Sequence, residues 1–252
     1  MGDRYMISSY IKINGELKKH GTVTEDFINA IVQRNLGQKL IGYINKLSLW
    51  GEGGTFIKDL TNPEILEYSY DEVNKQYTVH AQFKDTSTDS YTIVRVEAFS
   101  YSPQGELFLS LFDELYITKD SAKHLVIDYY IIITHDDYNK FHCEQLAKEL
   151  INIVVAMTYR IVKVKVYDKT GNFVKEVTEK YTETMNSGYK EGKYYASHHV
   201  EFRDGSKDEY EIGKVEYIDE HGNVYIKHEN LDYKKLSDQV VYFVLIHDNV
   251  QG

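Results

Sequence analysis

The residues best suited to chemistry lie between positions 135 and 143, where His135, Asp136, Asp137, His142 and Cys143 place two imidazoles, two carboxylates and a thiol close together. All of these groups can ligate a metal, and an imidazole beside a thiol can lower its pKa. The spacing matches no zinc pattern, however, and Cys143 is the chain's one cysteine, so it has no partner thiol. The cluster reads as His-Asp closing a strand, an aspartate capping the turn into a helix, and a buried thiol in that helix. His198 and His199, with Asp204, Asp208 and Glu209 downstream, could supply acid, base and orienter, but adjacent strand residues face opposite ways. GEGGTFIKD from Gly51 has the glycines of a phosphate loop without its Gly-Lys-Ser/Thr ending or a following helix, and reads as a turn. The acidic runs DGSKDEYE and YIDEHGN lack the acid spacing of an EF-hand and read as solvated turns. No serine stands in a Gly-x-Ser-x-Gly elbow. No catalytic, cofactor-binding or metal residue is nominated, no cofactor is expected, and the expectation is that the chain is not an enzyme.

Composition narrows the partners. The chain has 252 residues, 42% hydrophobic and 27% charged, which is ordinary for folded domains and enough for one large domain or two modest ones. A net charge of −10 with no clustered Lys and Arg argues against a nucleic-acid partner. No apolar run reaches the ~18–20 residues of a membrane span, and LVIDYYIIIT is interrupted by Asp128, so no membrane span is expected. The N-terminal MGDRYMISSY shows neither a secretion signal nor a myristoylation pattern, and synthesis in the cytoplasm is expected. Tyrosine is abundant, at 23 residues, and proline scarce, at 2. Exposed loop tyrosines such as Tyr101, Tyr189 and Tyr194 could stack on sugars or fill a protein interface, with core packing the default for any one of them.

The elements that would position these residues recur. Aligning Tyr91 with Tyr210, an offset of 119, pairs Phe83-Lys84-Asp85 with Phe202-Arg203-Asp204 and Val96-Glu97 with Val215-Glu216. At an offset of 117, GTFIKDLT meets GNFVKEVT and Gly105 meets Gly222; at 112, His135-Asp136 meets His247-Asp248. The offsets change at turns, where insertions are best tolerated. In each copy a helix comes first: Thr24 to Gly37, with Thr24 as N-cap and Phe27, Ile28, Ile31 and Val32 at helical spacing, and FHCEQLAKELINIVVAM, with Leu146, Leu150 and Ile153 or Val154 on one face.

Strands follow in both copies. KLIGYINKLSLW and RIVKVKVYD alternate at period two, and the stretches 91–112 and 210–229 read as equivalent hairpins. VIDYYIIIT and VVYFVLI, nearly continuous in apolar residues, are expected to be central strands. The expected fold is mainly β (α+β): two tandem β-sandwich-like domains each led by one α-helix, residues 1–137 and 138–252. MISSYIKIN resembles a third closing strand, and is expected either to pad an edge of the first copy or to pair with a neighbouring subunit.

The order of these features resembles a β-rich repeat of phage tail-fibre and collar proteins, also seen in attachment-structure proteins of archaeal viruses. The residues that carry it are LSLWGEGGT after a helix, then VRVEAFSYSPQGELFLSLF, then LYITKDSAKHLVIDYYIIIT. Glu97-Ala98-Phe99 stands where the repeat has a glycine, tyrosine replaces tryptophan in the closing strand, and the second copy lacks the Gly-rich turn. The resemblance implies a virion structural protein of the tail or attachment apparatus, an adaptor or fibre anchor located in the virion. Its implied partners are other virion structural proteins and further copies of itself as a homo-oligomer. The alternative is a carbohydrate- or cell-surface-binding adhesin module, with a host surface or glycan as partner.

Overall fold

The computed structural model describes residues 4–35, 39–102, 104–135, 140–151, 161–190, 193–220 and 222–251. Its first part contains β1 (Arg4–Ile13), β2 (Glu16–Val23), α1 (Glu25–Asn35), β3 (Tyr43–Trp50), β4 (Phe56–Thr61), β5 (Ile65–Asp71), β6 (Gln76–Asp85), β7 (Tyr91–Ile93), β8 (Arg95–Ser102), β9 (Gly105–Phe112), β10 (Ile117–Lys119) and β11 (Leu125–His135). The remainder contains α2 (Lys140–Ile151), β12 (Ile161–Tyr167), β13 (Phe173–Val177), β14 (Lys180–Lys190), β15 (Lys193–Asp204), β16 (Tyr210–Ile212), β17 (Lys214–Asp219), β18 (Val224–His228), β19 (Tyr233–Lys235) and β20 (Val241–Gln251). The protein is thus mainly β, built from curled antiparallel sheets with two helices among the described residues. Neither helix is long and apolar enough to cross a membrane.

Alternation builds the cores. In β6, Tyr77, Val79, Ala81 and Phe83 point inward and are buried, while Thr78, His80 and Gln82 take the other face. The first sheet runs β5, β6, β11, β1, β2; β2 then curls so that Thr22 and Val23 pair with β9, which continues through β8 and β3 to β4. One apolar cluster fills the first half, and a second, around Val164, Val200, Phe202 and Tyr217, fills the other.

The two halves share strand registers in detail. Phe83 pairs with Ile127 and Phe202 with Phe243; Tyr91 pairs with Lys119 and Tyr210 with Lys235. Three β-bulges also fall at equivalent places: Leu49/Trp50 and Val166/Tyr167, Ile44/Lys46 and Ile161/Lys163, Ala98/Phe99 and Tyr217/Ile218. A bulge leaves one residue unpaired and re-aims the strand, so three coincident bulges specify the same twisted surface twice.

The structure departs from the sequence expectations at three places. The registers match Ile127 to Phe243, an offset of 116 for the closing strands, so His135 does not correspond to His247. The shared His-Asp letters lie four residues out of structural register. The stretches 91–112 and 210–229 are not single hairpins: Tyr91–Ile93 and Tyr210–Ile212 leave to pair with β10 and β19, because Val94 and Gly213 turn away and donate their N–H groups to Trp50 and Tyr167. Finally, β20 is not enclosed as β11 is. β11 lies between β6 and β1 along its length, whereas among the described residues β20 meets β15 on one edge and only Arg4–Met6 of β1, in parallel, on the other.

β1 therefore pads the first half and also bridges to the second. Pairing with a neighbouring subunit is not required to satisfy it. The helices cross-link the halves as well. α2, beyond the 137/138 division, buries Cys143, Leu146, Ala147 and Leu150 against β3, β5, β6 and β11 of the first half. α1 packs on β9 and reaches β15 and β20, the strands equivalent to β6 and β11. The helices meet through Arg34 and Glu149, both almost fully buried: the Arg34 Nε donates to one carboxylate oxygen of Glu149 and the Ile41 N–H to the other at 2.7 Å.

Candidate functional site

The most conspicuous polar constellation occurs twice. Asp85 ends β6 and turns the chain toward β7: its carboxylate accepts the Ser87 N–H at 2.9 Å and the Tyr91 hydroxyl. Lys58, from β4, places its ammonium 3.3 Å from both oxygens of Asp85, 3.1 Å from the Ser87 hydroxyl and 3.2 Å from Asp89. From below, Lys119 of β10 donates to the carbonyls of Ser87 at 2.6 Å and Asp89 at 2.9 Å.

In the second half Asp204 accepts the Ser206 N–H at 2.9 Å and the Tyr210 hydroxyl at 2.5 Å, and Lys175 reaches Asp204 at 3.3 Å, Ser206 at 2.7 Å and Asp208 at 2.7 Å. Lys235, fully buried, donates to the carbonyls of Ser206 at 2.5 Å and Asp208 at 3.0 Å. DGSKDEYE is therefore not merely a solvated turn.

The electrostatics of both nodes follow one rule. Burial pushes the Asp85 and Asp204 carboxyls up, but the tyrosine hydroxyl, the serine groups and the lysine outweigh it and hold each at about 2. Burial and the bonded aspartate push Tyr91 and Tyr210 well above the ordinary phenol range. Burial would lower Lys58 and Lys175, yet their aspartate partners raise both. With the Asp85 and Asp204 carboxylates saturated by ammonium, hydroxyl and amide donors, each node locks its loop.

The other residues singled out in the sequence do not converge. His135 is buried and its ring stacks on Tyr70 with centroids 5.7 Å apart; Cys143 is buried in the first core. Asp136 and Asp137 lie outside the described residues, as do Gly37, Ile153, Val154 and the side chains of His142 and Tyr194. His198 is buried 3.1 Å from Glu183, whereas His199 faces away, 3.0 Å from Glu201, and Asp204 stands at the far end of the same strand, β15. Gly51–Thr55 is a turn closed by the Gly51 N–H on the Thr55 carbonyl at 2.8 Å, running straight into β4. Asp219 of YIDEHGN is buried and accepts the Asn223 N–H at 2.8 Å. Tyr101 and Tyr189 are exposed, but they lie in strands β8 and β14 and not in loops. Among the described residues no three His, Cys, Asp or Glu side chains are grouped to hold a metal.

The outward faces, by contrast, differ between the halves. On the first, Asp128 of β11 accepts Gln82 at 2.8 Å and lies 2.9 Å from the His80 Nε2; the His80 ring stacks on Tyr130, and Tyr130 on Tyr10, each with centroids 4.5 Å apart. The register makes Tyr242, Val244 and Ile246 the counterparts of Val126, Asp128 and Tyr130. These three are 44%, 43% and 47% exposed, and Tyr181 meets Tyr242 edge-on. This face was not anticipated, because an apolar run reads as a buried strand. The available signal was the absence of any charge from Val240 to Ile246.

No protein-family model, curated protein or solved structure matches the chain.

Proposed function

We propose that the chain is a non-enzymatic structural protein of two tandem β-sandwich-like repeats, serving in a virion tail or attachment apparatus as an adaptor or fibre-anchoring component. One observation carries the reading: the scaffold is repeated down to its bulges and its Lys-Asp-Tyr-Lys lock, while equivalent outward positions have diverged from Asp128 and Tyr130 to Val244 and Ile246. Internal sameness with external difference suits a spacer that faces two unlike neighbours, such as other virion proteins and further copies of itself. The resemblance of 27–134 to tail-fibre and collar repeats gives the setting.

Copy number in purified particles tests this directly. Quantitative mass spectrometry should find the chain at a fixed stoichiometry to a tail component after nuclease and density-gradient purification. Its absence from particles would sink the virion assignment.

A further inference from the structure

We infer that the free edge of β20 pairs antiparallel with the same edge of a second copy of this chain, with Val244 near the two-fold axis. The inference deepens the proposed assembly role, on which it rests, by naming an interface. The first half shows what the position requires. There β1 covers β11 antiparallel from Tyr5↔His135 to Ile13↔Ile127, and β2 joins β9, closing that side of the core. In the second half the equivalent edges are those of β20 and β18. Among the described residues β18 pairs only with β17, and β20 gains β1 only from Asn249 to Gln251, leaving Val241–Asp248 without a strand on that edge. A cavity of about 550 Å³ opens beside it, lined by Val240–Val244 with Tyr217 and His228.

The composition of the edge selects a like strand. Proteins protect exposed edges with Lys, Pro, inward charges or bulges. The outer strands β4, β5, β13 and β14 each carry charges: Lys58 and Asp59, Glu67 and Asp71, Lys175 and Glu176, Lys180 and Glu183. Residues 240–246, VVYFVLI, carry none, and contain no proline or glycine. Two such edges related by a two-fold axis are self-complementary in backbone donors and acceptors, and bring Tyr242, Val244 and Ile246 of both copies into one apolar strip. The chain already contains a pair of this kind, since MISSYIKIN is itself closing-strand-like and sets Tyr10 against Tyr130 in the β1–β11 ladder. The parallel contact of β1 at Asn249 limits the new pairing to about seven residues, for which Val244 is central.

Sedimentation velocity of the full chain over a wide concentration range is expected to show a monomer–dimer equilibrium, lost in Val244→Lys with Trp50 fluorescence unchanged. Single Tyr242→Cys, Val244→Cys and Ile246→Cys variants provide a second readout that tolerates a misfolded lysine variant, because opposed antiparallel residues lie within disulfide reach. Val244→Cys should form the most covalent dimer under mild oxidation. A wild type that stays monomeric, a Val244→Lys variant that remains dimeric, or crosslinking no stronger at 244 than at the exposed Asn223→Cys would overturn the edge pairing. The two readings fail separately: dimerisation through Val244 in a chain absent from particles removes only the virion role, and particle incorporation with an unaltered Val244→Lys oligomer removes only this interface.

Discussion

Asp85 and Asp204 hold equivalent places in the two halves, each accepting the hydroxyl of a tyrosine six residues downstream, Tyr91 and Tyr210, beneath a lysine from a neighbouring strand. Both aspartates are buried, so replacing the carboxylate by an amide takes the counter-charge from the lysine above it and weakens the acceptor of the tyrosine hydroxyl. Asp85→Asn or Asp204→Asn should each cost about 3 kcal/mol in urea unfolding. Tyr91→Phe, which removes one donor and keeps the ring, should cost about 1 kcal/mol. Equal stability of the wild type and both asparagine variants would show that the locks do not hold their loops.

The same two carboxylates make stability depend on pH in a defined window. Their folded pKa of about 2 lies below the ordinary 3.8, so the folded state binds fewer protons than the unfolded chain between those values. The stabilisation is complete above about pH 4 and is lost as pH falls toward 2, with each group contributing about 2 kcal/mol. Glu183, which burial pushes up but His198 and Lys180 hold at about 2, adds to the same limb. Urea midpoints measured from pH 5 down to pH 2.5 should fall steeply, and the fall should be shallower in the Asp85→Asn, Asp204→Asn double variant. A parallel pH profile in that variant would assign the acid sensitivity to other groups.

Arg34 and Glu149 join the two helices through an ion pair 1% and 2% exposed. Glu149→Ala leaves a buried guanidinium and an unsatisfied Ile41 N–H, and should destabilise by about 4 kcal/mol. Arg34→Met combined with Glu149→Leu removes both charges and should recover much of that loss, because desolvation of the pair offsets most of its attraction. Thermal unfolding of the single and double variants checks the order.

How much of this was legible depended on the range of the signal. Local patterns sufficed for α1, whose N-cap Thr24 accepts the Phe27 N–H at 3.1 Å, and for the turn at Gly51. Offsets of 117 and 119 exposed the repeat because Phe83, Asp85, Tyr91 and their counterparts were retained as letters. Lys119 and Lys235 carry no local signal, since each reaches a loop about 30 residues earlier and no spacing rule ties them to it. α2 displayed an apolar face at Leu146 and Leu150, but amphipathicity does not say which sheet receives it. The parallel contact between β1 and β20 involves three residues of backbone and has no side-chain signature. For β20 the pattern itself misled: seven uncharged apolar residues mark a strand that needs cover, and they read the same whether the cover lies in this chain or in another.

The crossing of helices and strands between halves has a consequence that the single tryptophan can report. Trp50 lies in β3, in the first half, with its indole N–H donated to Glu97 at 3.0 Å, while Phe202 is fully buried in the second apolar cluster. If the halves were independent, emptying the second core would leave the Trp50 transition untouched. They are tied by β1 pairing with both β11 and β20, and by α1 packing on β9 as well as β15. Unfolding the second half therefore uncovers α1 and one edge of β1. Phe202→Ala, at a cost of about 4 kcal/mol, should move the denaturant midpoint followed by Trp50 fluorescence together with that followed by far-UV circular dichroism. Two separated transitions, with only the dichroism shifted, would mean that each half folds alone and that the crossed helices contribute little to coupling.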